Sequence, residues 1–150
     1  MRRLFKALGL MALPLSGGAA AEQRPPVEHF GAPQLGGQLL PFSNAVRAGD
    51  VLYLSGQIGI GADGRLPEGI EAQTRQAMEN IGAILRQAGR GWNDVIHCTA
   101  MLDTMTDWPA FNRVYVTYFT PGRLPARSAF GTDGLALGAL IELECQAWAG

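Results

Sequence analysis

From Ile70 to Ala88 the apolar residues recur at a helical period. Ile70, Thr74, Ala77/Met78, Ile81, Ile84/Leu85 and Ala88 fall at i, i+3/i+4, i+7, with polar Glu71, Gln73, Arg75, Gln76, Glu79 and Arg86 between them. Gly89 stops the run. An amphipathic helix of this kind must lay its stripe on another layer, and its neighbours in sequence read as strands. Ala45-Val46-Arg47 and Val51–Leu54 flank Ala48-Gly49-Asp50, a hairpin signal, and the second strand runs on through Ser55-Gly56-Gln57 to Ile58 and Ile60. Downstream, Val95–Leu102 reads as a mostly buried strand. Asp107 is placed to cap a second helix with Pro109 in its first turn, and Phe111, Val114, Tyr115 and Tyr118 form its inner stripe. Arg127–Phe130 and Leu140–Trp148 supply the last two strands, the latter alternating Ile141, Leu143, Cys145 against Glu142, Glu144, Gln146.

The order β-β-α-β-α-β-β gives two helices for one sheet, an α+β domain. Helices on one face leave the other face bare, and self-association is the simplest way to cover it.

The chain opens with Arg2, Arg3 and Lys6, then an apolar run from Ala7 to Leu15, then small residues ending in Ala19-Ala20-Ala21. That is the order of a secretory signal peptide, expected to be cut after Ala21 and to leave a periplasmic or secreted protein. The run is shorter than a membrane span requires, so no stable membrane anchor is expected. Residues 22–40, rich in Pro, Gly and Gln, read as an extended lead-in with little structure of its own, ahead of a domain at 41–150. The leader holds three basic residues and no acid, so its removal takes the net charge from −1 to −4. Such a balance offers no basic field for nucleic acid. It leaves small metabolites, or small anions held by one local Arg, as the natural partners.

Several apparent motifs dissolve on inspection. Gly59-Ile60-Gly61-Ala62-Asp63-Gly64 matches GxGxxG, yet Arg65-Leu66-Pro67 follows where a helix should open, so the glycines read as loop punctuation. His97 is next to Cys98, but adjacent strand residues point to opposite faces and cannot form a nucleophilic pair. Cys98 and Cys145 read as small buried hydrophobes, a disulfide being the alternative that an exported protein permits. Neither has partners at metal-ligand spacing.

Two charges remain in apolar strands. Arg127 sits in Leu124-Pro125-Ala126-Arg127-Ser128-Ala129-Phe130 and Glu142 in Leu140-Ile141-Glu142-Leu143-Glu144-Cys145. A solvated face or a salt bridge between them is the commoner arrangement. The functional alternative is an Arg fork that takes a carboxylate in bidentate fashion, with a nearby carboxylate handling water.

Seven fragments carry a resemblance. Pro41-Phe42-Ser43-Asn44-Ala45-Val46, Ser55-Gly56-Gln57-Ile58, Glu71-Ala72-Gln73-Thr74-Arg75-Gln76, Met78-Glu79-Asn80-Ile81, Phe111-Asn112-Arg113-Val114-Tyr115, Pro125-Ala126-Arg127-Ser128 and Ile141-Glu142-Leu143-Glu144 occur in that order. Over residues 40–148 the chain resembles the Rid (YjgF-like) family of enamine/imine deaminases. The resemblance implies a chorismate-mutase-like α+β fold with a mixed sheet, assembled as a homotrimeric barrel with clefts at subunit interfaces and no cofactor or metal. It implies hydrolysis of 2-aminoacrylate-type enamines and imines to 2-keto acids and ammonia. By position, Arg127 would clamp the substrate carboxylate and Gly56 would offer a backbone N–H near it. Glu142 would hold the attacking water, while Ser55 and Asn112 line the cleft.

The sequence departs from the family in three places. Phe42 stands where active members commonly have Tyr, Ala129 where Cys is frequent, and Asp133 where a small or basic residue is usual. A trimeric protein that binds small carboxylates such as 2-keto acids without turnover is the second reading. A chorismate-mutase-type enzyme rests on fold analogy alone.

Overall fold

The two helical stretches form α1 (Ile70–Gln87) and α2 (Trp108–Tyr115) in a computed structural model that describes residues 26–150. The expected leader and its cleavage point lie outside the described residues. Both helices cover one face of a mixed sheet built from β1 (Val27–Phe30), β4 (Ala45–Ala48), β5 (Val51–Leu54), β6 (Gln57–Ile58), β7 (Val95–Leu102), β8 (Ala126–Gly131) and β9 (Ile141–Trp148). The strand order is β1-β4-β5-β9-β7-β8, with β6 also on β9. Only β7 and β8 run parallel.

The lead-in holds more structure than its composition suggests. Val27–Phe30 pairs antiparallel with β4 at the sheet edge, and β2 (Gln34–Leu35) and β3 (Gln38–Leu39) form a small hairpin of their own. An edge strand needs a backbone ladder on one side and no apolar stripe, so its side chains stay mostly exposed and its sequence carries little signal.

On the helix side, Leu52, Leu54, Cys98, Ala100, Leu102, Leu143 and Cys145 pack against Met78, Ile81, Leu85, Phe111 and Tyr115, all of them buried. Cys98 and Cys145 are paired directly across β7 and β9 and form a disulfide. The reading of two separate thiols is therefore corrected. The apolar alternation placed both on the core face, but only the β7–β9 register brings them opposite each other. Two smaller expectations also change. Asp107 makes no side-chain cap for α2; Thr104 instead accepts from the Thr106 N–H in the preceding 3-10 turn. Gln73 is buried although it falls among the polar positions of α1.

The opposite face is open. Tyr53, Phe130 and Trp148 lie on it about half exposed, beside Glu144. That is the bare face that two helices for one sheet require. Among the described residues no helix is long and apolar enough to cross a membrane.

Candidate active site

Arg127 pairs in register with Cys98 of β7, and Cys98 with Cys145 of β9. Side chains in one row across a sheet share a face, and this row faces the helices. The guanidinium ends beneath α2 among three rings, 4.6 Å from the centroid of Tyr115, 4.7 Å from Trp108 and 5.2 Å from Phe111. Positions 108, 111, 112 and 115 make one stripe of a helix, so α2 presents these rings and Asn112 together. Rings hold the flat faces of a guanidinium and leave its N–H edge for a ligand. Among the described residues no carboxylate pairs with Arg127; the salt bridge there joins Arg113 to Glu71 at 2.6 Å. A structural ion pair between Arg127 and Glu142 is thus excluded within one chain.

Burial shapes the electrostatics here. It lowers the Arg127 pKa from its ordinary value, with Tyr115 opposing the shift. It pushes the Tyr115 hydroxyl up to about 12 against the pull of Arg127. That hydroxyl and the Oδ1 of Asn112 are buried with no hydrogen-bond partner among the described residues. A cation held in rings beside unsatisfied polar atoms is costly unless something completes it. Ala129 lies two residues along β8 on the same face, half-buried against the core. Asp133 is in an exposed loop and makes no ion pair with Arg127.

Glu142 points the other way. It alternates with buried Ile141 and Leu143 and pairs with Met101 on one side and Ile58 on the other. Its carboxylate lies over Gly56, on the spot where a Cβ at that residue would stand. Burial raises its pKa above the usual carboxylate range, and nearby Glu144 adds to the shift. Around it opens a cavity of about 450 Å³ whose lining includes Leu35, Leu40, Phe42, Gly56, Ile58, Ile60 and Leu137. Phe42 and Gly56 therefore belong with Glu142.

Ser55 is tied to the segment beside Phe42. Its hydroxyl donates to the Ser43 carbonyl at 2.7 Å and its N–H to the Asn44 carbonyl at 2.9 Å, so it braces the turn carrying Phe42 and does not line the cavity.

Sequence reasoning missed the braces behind the cavity walls. Asn80 Nδ2 donates to the carbonyls of Ile58 at 3.1 Å and Ile60 at 3.0 Å. Gln73 donates to the Pro67 carbonyl at 3.1 Å and accepts from the Leu140 N–H at 2.8 Å, tying two loops to α1. Their polarity was the available signal, but it is shared with every solvent-facing residue of the helix. Of the rings around Arg127, Phe111 and Tyr115 were visible only as members of an inner stripe, and Trp108 was not among them. Among the described residues no three His, Cys, Asp or Glu side chains gather as a metal centre would need.

One chain thus carries two groups of candidate residues on opposite faces of its sheet. Arg127 and Asn112 belong to one; Glu142, Gly56 and Phe42 belong to the other.

A sequence model of the endoribonuclease L-PSP family matches residues 37–149. The mouse protein named 2-iminobutanoate/2-iminopropanoate deaminase is 40% identical over 106 residues, which are 69% of this chain and 78% of the mouse protein. The crystal structure of a Rid-family protein of Yersinia pestis superposes with a TM-score of 0.75 at 34% identity, covering 82% of this chain and 99% of that one. The structure of Escherichia coli TdcF with bound serine gives a TM-score of 0.71 at 28% identity, covering 75% of this chain and 91% of that one.

Proposed function

Because the chain belongs to the endoribonuclease L-PSP family, the family of the Rid deaminases, we propose that it is a hydrolytic deaminase. It converts 2-aminoacrylate-type enamines, and the imines they become, to 2-keto acids and ammonia. The observation that carries this reading is the pair of half-sites: a ring-held guanidinium without an acidic partner, and a half-buried carboxylate at the floor of an apolar cavity.

The chemistry asks little beyond placement. The enamine becomes the imine as one proton is lost from its nitrogen and one is gained on its carbon. The substrate carboxylate lies in the Arg127 fork, which fixes the imine carbon relative to Glu142. A water held by the Glu142 carboxylate gives up a proton to it as its oxygen bonds to that carbon. The nitrogen takes up that proton, giving a carbinolamine. The new hydroxyl then passes its own proton, by way of the Glu142 carboxylate, to the nitrogen as the C–N bond breaks, so the carbonyl forms and ammonia leaves. One water is consumed and one ammonia released.

Because the two groups face opposite sides of one sheet, the working site forms between copies, Arg127 from one and Glu142 from the next. A homotrimer closed through the open sheet face supplies such interfaces. Export follows from the leader, and the Cys98–Cys145 disulfide suits an oxidising compartment. A reporter fused after Glu22 that stayed in the cytosol would sink the export reading.

Phe42 favours a second reading, because it places no hydroxyl in the cavity. On that reading the protein binds 2-keto acids without turnover. Ammonia release from freshly generated 2-aminoacrylate, wild type beside Arg127→Ala, separates the two. Acceleration lost in the variant is the result expected of the deaminase. No acceleration, with pyruvate binding seen by calorimetry and abolished by Arg127→Ala, would mark the binding protein.

A further inference from the structure

Resting on the deaminase reading, we propose that this chain selects imines with a bulky apolar side chain, of leucine or phenylalanine size, and that Leu137 sets the selection. In one chain the cavity around Glu142 has about 450 Å³, within the range of sites that take whole small molecules and far more than the skeleton of 2-aminoacrylate fills. Its apolar walls include Leu35, Leu40, Phe42, Ile58, Ile60 and Leu137, with Gln34, Gln57 and Glu142 as the polar members of the lining. Each methylene moved from water onto such walls strengthens binding about four-fold.

Leu137 stands out within this lining. It is the one non-glycine residue with positive φ among the described residues, at φ 58° and ψ 17°. A leucine seldom adopts this left-handed conformation, and core packing does not explain it, because the residue is 60% exposed. The turn is held on its far side instead. The Gly138 and Ala139 N–H groups donate to Leu135 and Ala136 at 3.1 Å, and the Leu140 N–H to buried Gln73 at 2.8 Å. A braced, strained backbone that spends an apolar side chain on a cavity rim points to a contact made by a ligand.

The carboxylate in the floor narrows the occupant. On the deaminase reading the next copy brings Arg127 to this cavity to hold the substrate carboxylate, which leaves the apolar walls to the substrate's side chain. A substrate placing an N–H or a water beside Glu142 and an apolar side chain against Phe42 and Leu137 satisfies the floor and the walls alike.

The test measures kcat/KM for imines made in situ from alanine, leucine, methionine and phenylalanine by an amino-acid oxidase with catalase. Removal is read as loss of the semicarbazide-trapped fraction. The leucine and phenylalanine imines should be preferred over the alanine imine by about ten-fold or more, which two buried methylenes supply. Leu137→Gly accepts the same backbone and should keep or raise the melting temperature while collapsing that ratio to within about three-fold. Equal or faster turnover of the alanine imine overturns the proposal and leaves the deaminase standing. An unchanged ratio in Leu137→Gly overturns the role of Leu137. If no imine is hydrolysed, the deaminase reading itself fails and the proposal with it.

Discussion

The Glu142 carboxylate occupies the volume that a side chain at Gly56 would need. The glycine is therefore required for space, since its backbone lies outside the left-handed region. Gly56→Ala should turn the Glu142 side chain out of its place while the sheet stays intact. The expected outcome is a fall in kcat of about 10²-fold, the usual effect of misplacing a reacting group by about 1 Å, with stability changed by less than about 1 kcal/mol. Steady-state kinetics beside a thermal melt checks this. A loss of fold as large as the loss of rate would show that Gly56 serves the sheet and not the site.

The disulfide closes a loop between residues 47 apart in sequence, and chain entropy assigns such a link about 4 kcal/mol. Cys98→Ala with Cys145→Ala should lower the melting temperature by more than about 10 °C. Thiol titration of the denatured wild type should find free cysteine only after reduction. Free thiols before reduction would remove the link from the native protein.

What sequence could and could not show follows from locality. The period of α1, the alternation in β9 and the odd charges Arg127 and Glu142 are properties of single segments, and all were legible. The disulfide was not, because it depends on β7 and β9 pairing with Cys98 opposite Cys145, a register that no short window contains. The opposite facing of Arg127 and Glu142 was hidden for the same reason. Each strand shows its own alternation, but only the pairing of β8, β7 and β9 says which side of each is the same side. Edge strand β1 and the brace Gln73 failed differently. In both, hydrogen bonding decides the position, and composition does not report it.

The Glu142 pKa is raised by burial, so between the unfolded and folded values the folded chain holds more protons. Stability therefore falls as pH rises through that window, which opens near the ordinary glutamate value of about 4.3. Glu142→Gln should melt higher than wild type at neutral pH, and the difference should close as pH falls below about 4.3. In the wild type the acid limb of kcat/KM should lie above that same value, because the carboxylate form holds the water. A Glu142→Gln protein that melts below wild type at pH 7 would mean that the ionised group stabilises the fold. The desolvation argument would then be wrong.

Opposite facing makes the sharpest prediction about assembly. If each site takes Arg127 from one copy and Glu142 from the next, Arg127→Ala and Glu142→Gln fail for different reasons in different subunits. Co-expressed in equal amounts and assembled at random, they should restore intact sites wherever a Glu142→Gln copy donates its arginine to an Arg127→Ala copy. In a closed ring of head-to-tail interfaces that combination makes up about one quarter of the sites. Deaminase activity should return to about a quarter of wild type in the mixture, while each variant alone stays near zero. Sedimentation of the wild type should show a trimer, since the open face with Tyr53, Phe130 and Trp148 is covered only in an assembly. Activity that stays near zero in verified mixed trimers would mean that both groups act within one copy. That requires the sheet to bring its two faces to one substrate, which the β8–β7–β9 register does not allow.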